Sequence, residues 1–175
     1  MSHPLVDQLR FTRHEWLRGL SAVQPEEATR HLGPMNCISW IVGHLAWQEQ
    51  GYWLFRGLGE VPYPDLHERF RYGAPMCTPD LERTMIQWRK VTQAADRYLD
   101  GLAATSMEQE LLLEGKPIGQ SIGSALLRMT YHYWYHIGEI QAIRQMLGHT
   151  DLPDFVGDLE GEAPYAPMEG EAPGG

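Results

Sequence analysis

Cysteine is scarce in this chain of 175 residues: Cys37 and Cys77 stand far apart with no CxxC spacing. That excludes a disulfide framework and a zinc ribbon, and it predicts a reducing cytoplasm as the home of the protein. No apolar run exceeds a few residues, so neither a membrane span nor a signal peptide is expected. Basic residues are also few, 14 Lys and Arg against 23 Asp and Glu, for a formal net charge of −9. Seven of those nine net negative charges lie in residues 151–175, which contain no Lys or Arg. The remainder is nearly balanced, without the clustered basic surface of a nucleic-acid binder or a basic membrane-binding face. Strand alternation is missing as well, apart from a possible short extended excursion over Glu110–Ile118 around Gly115.

Helical periodicity fills the space these absences leave. Four segments carry apolar residues at alternating three and four spacing. The first passes through Leu5, Leu9, Trp16 and Leu20, with Pro4 in its opening turn. The second follows Asn36 as cap and uses Ile38, Ile41, Leu45 and Tyr52. The third has Thr78 as cap and Pro79 in its opening turn, with a stripe running from Leu81 to Leu102. The fourth starts near Ser121 and stops at Gly148. An all-α four-helix bundle follows. The connection from Leu58 to Cys77 is longer than the usual bundle loop, so it predicts a crossing of the bundle end with the second and third helices parallel.

Residues 1–153 read as the bundle domain and 154–175 as an acidic, Gly/Pro-rich tail that repeats GEAP at Gly161 and Gly170. Such a composition buries little apolar surface and predicts a solvated extension, with Tyr165 and Met168 as candidate anchors.

Among eight histidines, His132 and His136 stand out in the stretch YHYWYH. The line Ala125, Met129, His132, His136, Ile140, Ile143 and Leu147 turns both inward on one face, where two imidazoles can share a metal ion. The alternative is a core pair whose rings are satisfied by tyrosines and carbonyls. His44 lies on or beside the stripe of the second helix. Three buried imidazoles are costly without partners, whereas a divalent ion uses their lone pairs. The Tyr-Trp-Tyr between the pair lacks the glutamate of an HExxH protease. Glu-x-x-His pairs of dinuclear bundles are missing too, since Met129 and Tyr133 stand three residues before the histidines. Cys37, about 10.5 Å along the helix from His44, reads as a core thiol. Trp40, Trp47, Trp53 and Trp134 read as core or dimer interface, and Tyr133, Trp134 and Tyr135 as packing on the other faces of the last helix. Arg144 and Glu139, near the end of the helix that carries the histidine pair, are candidates to orient a ligand or to form an ion pair, and the solvated or structural pair is the preferred reading.

Two blocks, NCISWIVGHLAWQEQGYW at 36–53 and HYWYHIGEIQAIRQMLGH at 132–149, resemble the DinB/YfiT-like family. The resemblance implies a bundle of up-down-down-up connectivity with a mononuclear metal held by His44, His132 and His136. It also implies a homodimer and an activity among thiol-dependent S-transferases and isomerases that use thiols such as bacillithiol or mycothiol. Three neutral imidazoles leave a coordination position open, as catalytic sites do. Zinc is the expected ion, with nickel or iron as alternatives. The expected function is a metal-dependent transferase in which a small thiol attacks an electrophile. A non-catalytic dimeric metal-binding or stress-response scaffold and a metal-dependent hydrolase are the competing readings.

Overall fold

A computed structural model describes residues 3–154 and 156–165. The fold is mostly helical. Helix α1 (Pro4–Leu20) is capped by His3, whose Nδ1 accepts from the Leu5 N–H at 3.2 Å. After the single turn α2 (Pro25–Ala28), α3 (Ile38–Glu49) starts one residue later than expected, with Cys37 rather than Asn36 at the cap. It runs on without a break as a π-helix, Gln50–Arg56, a wider winding that often marks functional sites. The cap of α5 (Leu81–Leu99) is Asp80, accepting from the Arg83 N–H at 2.8 Å, and not Thr78. Helix α6 (Ile122–Met146) begins at Ser121, as its sequence predicts, and ends before Gly148, whose φ of 94° suits glycine.

Two elements depart from an all-α reading or refine it. The excursion at 110–118 is a β-hairpin, β1 (Glu110–Leu113) pairing antiparallel with β2 (Lys116–Ser121). Its turn places Glu114 and Gly115 at positive φ, the conformation that tight hairpins need. The long connection holds a further helix, α4 (Asp65–Phe70), which packs on α3 through the fully buried Leu66 and Phe70. Gly43 makes that packing possible, because a Cβ there would lie 2.5 Å from the Phe70 ring.

Helix α1 packs against α6 and α3 against α5, with α3 also meeting α6. Leu9, Trp16, Ile41, Leu45, Trp53, Trp88, Leu99, Leu126 and Ile140 fill the space between them. Each large side chain buried there contributes about 1.5–3 kcal/mol of transfer free energy. Through this core runs a polar network joining all four long helices. Arg13 of α1 donates to both oxygens of Glu49 at the end of α3, at 2.8 and 2.6 Å, and to Asp96 of α5 at 3.0 Å. Tyr133 of α6 donates to Glu49 at 2.8 Å and accepts from the Trp88 indole of α5 at 2.8 Å. Burial alone would push the Arg13 guanidinium down, but the Glu49 carboxylate overrides it and holds the group charged. Burial and the same carboxylate push the Tyr133 phenol well up, so it keeps the proton it donates.

The tail is less solvated than its composition predicts. Asp154 and residues 156–165 include a short helix, α7 (Leu159–Glu162), and lie against α1. Arg18 donates to the Asp154 carbonyl at 2.6 Å, the Gly157 N–H donates to Glu15 at 2.9 Å, and Gln8 donates to the Ala163 carbonyl at 2.8 Å. Ala163 is buried, whereas Tyr165 is 89% exposed and does not act as the anchor. Met168 lies outside the described residues. No helix among the described residues is long and apolar enough to cross a membrane.

Candidate metal centre

The three histidines singled out by sequence come together. His44 on α3 faces His132 on α6 with their Nε2 atoms 3.2 Å apart, and the His132 and His136 Nε2 atoms are 2.9 Å apart. The i, i+4 spacing on α6 places the second pair, and the contact between α3 and α6 brings in His44. His44 and His136 are buried and His132 is half-buried, at the rim of the cluster. The core line of α6 differs from the expected one. It passes through Met129, Tyr133, Ile137 and Ile140, so Tyr133 is a core residue and the histidines flank it. Of the other two aromatic residues in the stretch, Trp134 is half-buried and Tyr135 is 71% exposed.

The outer ring nitrogens decide the protonation pattern. His44 Nδ1 lies 2.7 Å from the Phe70 carbonyl, an acceptor only, so it carries the hydrogen and donates. His136 Nδ1 likewise donates to the Glu139 carboxylate at 2.7 Å. In the neutral rings both inner Nε2 atoms are then bare acceptors. Burial pushes the His44 imidazole down to about 4, and burial followed by the neighbouring His136 and His44 pushes His132 down to about 3. The His44 and His132 rings are neutral at pH 7.

Two acceptor atoms therefore face the His132 Nε2, and a single Nε2–H there cannot satisfy both neighbours well. A cation can. Nitrogen ligands about 2.0–2.1 Å from a tetrahedral ion stand roughly 3.3 Å apart, close to the separations seen here. The three histidines are thus a group that could hold a metal ion, and no other His, Cys, Asp or Glu group of that kind occurs among the described residues.

The surroundings fix His44 from several sides. Trp40 stacks on its ring at 5.0 Å, Trp47 tilts against it at 5.4 Å, and the Trp40 indole donates to the Arg69 carbonyl. Trp53 is also buried in the core and Cys37 is a core thiol, as read from sequence. Arg144 and Glu139 do not pair with each other. Glu139 serves His136, while Arg144 is buried and donates to the carbonyls of Gly19 and Asp151 and to His149. The Phe70 carbonyl and its helix α4 escaped sequence reasoning, since a backbone acceptor leaves no residue signature. Glu139 was legible in principle, standing three residues after His136 on the same face.

A mostly helical fold with three converging imidazoles that could hold a metal ion fits a metal-binding, enzyme-like scaffold. The family model described as the DinB superfamily matches residues 8–140, well over half the chain, and the protein belongs to that superfamily. No curated protein matches the chain.

Proposed function

We propose that His44, His132 and His136 hold one divalent ion, zinc in the first instance and otherwise nickel or iron, and that the protein is a thiol-dependent S-transferase. The observation that carries this reading is the convergence of three Nε2 atoms, two of them left as acceptors by the Nδ1 bonds to Phe70 and Glu139. An ion so bound supplies charge that deprotonates a coordinated thiol at neutral pH. The chain's own residues position the site: Phe70 and Trp40 lock the His44 ring, Glu139 locks His136, and His132 at the rim faces the approach from solvent. Neither nearby carboxylate is a spare base. Glu139 is engaged by His136, and Glu49 by Arg13 and Tyr133. That favours thiol transfer over hydrolysis by a base-activated water. The reading includes up-down-down-up connectivity of a bundle over residues 1–153, a homodimer, a cytoplasmic setting, and a small thiol and an electrophile as partners.

Elemental analysis of the purified protein and of His44→Ala, His132→Ala and His136→Ala tests the ligand set. One ion per chain, lost from each folded variant, is expected. Full occupancy in the His44→Ala/His136→Ala double variant sinks the site. A panel of thiol and electrophile pairs tests the activity, and no metal-dependent turnover across it leaves the scaffold reading in its place.

A further inference from the structure

A groove of about 850 Å³ lies between the π-helix, β2 and α6, lined by Tyr52, Gln120, Ser124, Leu127, Arg128 and Tyr131. Arg128 and His132 stand four residues apart on α6, so a lining residue of the groove and the rim histidine of the cluster are neighbours on the helix surface.

Charge separates this groove from the rest of the surface. In a chain of net charge −9, its one charged lining residue is a cation, Arg128. Arg128 has no hydrogen-bond or ion-pair partner among the described residues. Glu110, across the hairpin, is turned instead to the Gly119 N–H, from which it accepts at 2.8 Å. Exposed aromatic and apolar side chains, Tyr131 and Leu127, flank the guanidinium. A planar fork with five donors suits a carboxylate. One helical turn separates Arg128 from His132, about 6 Å along the axis.

Building on the thiol-transferase reading above, we propose that this groove binds the thiol substrate through a carboxylate. The Arg128 guanidinium pairs with the carboxylate, the sulfur reaches the three Nε2 atoms about one helical turn away, and Tyr52 and Tyr131 hold the body between them. The substrate class is a short acidic thiol such as a mercaptoacyl amino acid.

Cobalt-loaded protein tests this without turnover, because a thiolate bound to cobalt gives a charge-transfer absorption. Mercaptoacetylglycine and mercaptoacetylglycinamide differ only in the carboxylate. The acid is expected to titrate the absorption at about fivefold lower concentration than the amide, the scale of one partly solvated ion pair. In Arg128→Gln the preference disappears while the amide's affinity stays the same, and in Arg128→Lys part of the preference returns. Equal affinity for acid and amide in the native protein, or a preference that survives Arg128→Gln, overturns the carboxylate site and leaves the transferase reading standing. Absence of a thiol absorption with either compound, in protein shown to hold cobalt, overturns both.

Discussion

Two buried polar clusters lie in this molecule, and they differ in how completely they satisfy themselves. Arg13, Glu49, Tyr133 and Trp88 form a closed set in which each bond has a donor and an acceptor from the chain itself. His44 and His136 are held at their outer edges by Phe70 and Glu139, and with His132 they are open at their centre, where three ring nitrogens meet. Buried polar groups are expensive unless paired. The closed set reads as architecture, fastening four helices, while the open one reads as a receptacle for something the chain does not supply. Tyr133 sits between the two histidines in sequence yet belongs to the first cluster, so one helix turn serves both purposes by directing neighbouring residues to different faces.

The sharpest way to break the contrast is Arg13→Met, which leaves Glu49 buried without its cation. A loss of about 3–5 kcal/mol of stability is expected in chemical denaturation. Variant that remains folded should keep its metal content, and loss of metal in step with stability would merge the two clusters into one. Next, ion present at about a hundredfold its dissociation constant should stabilise the native protein by ~2.7 kcal/mol. Chelator should remove that increment in thermal melts of the native chain and change nothing in His136→Ala. Glu139→Gln, which weakens the acceptor behind His136, is expected to reduce metal affinity about 10- to 100-fold by competition titration. Its metal-free stability should stay close to that of the native chain. The smallest effect belongs to Tyr133→Phe, which takes one donor from Glu49 and the acceptor from Trp88. It should cost about 1 kcal/mol, because Glu49 keeps both Arg13 bonds, and leave metal affinity unchanged, although it adjoins His132.

How much of this was legible beforehand follows from where the information resides. The long helices announce themselves through spacing, and even the hairpin leaves a trace at Gly115. The pair His132 and His136 is legible because four residues bring side chains back to one face. The third ligand candidate, His44, sits only beside an apolar stripe, and the resemblance of its block to a known family singled it out. The role of Tyr133 was misjudged because both Tyr133 and His132 fit a three/four pattern, and only packing decides which lies on the centre line. Docking of the tail depends on backbone carbonyls and amides meeting Gln8, Glu15 and Arg18 of α1, contacts that composition does not encode. Helix caps moved by one or two residues for a similar reason, since several adjacent side chains can serve.

The π-helical winding of Gln50–Arg56 has a consequence for how this chain tolerates change in length. A π-helix turns through about 85° per residue against about 100° in an α-helix, so seven residues of the one sweep nearly the same angle as six of the other. Removing one residue there would let the segment rewind as ordinary α-helix while the chain beyond it keeps close to its present direction. The same deletion inside α3 would swing all that follows by about 100°. The stretch is thus where this helix can shorten by a residue at the least cost to the elements after it.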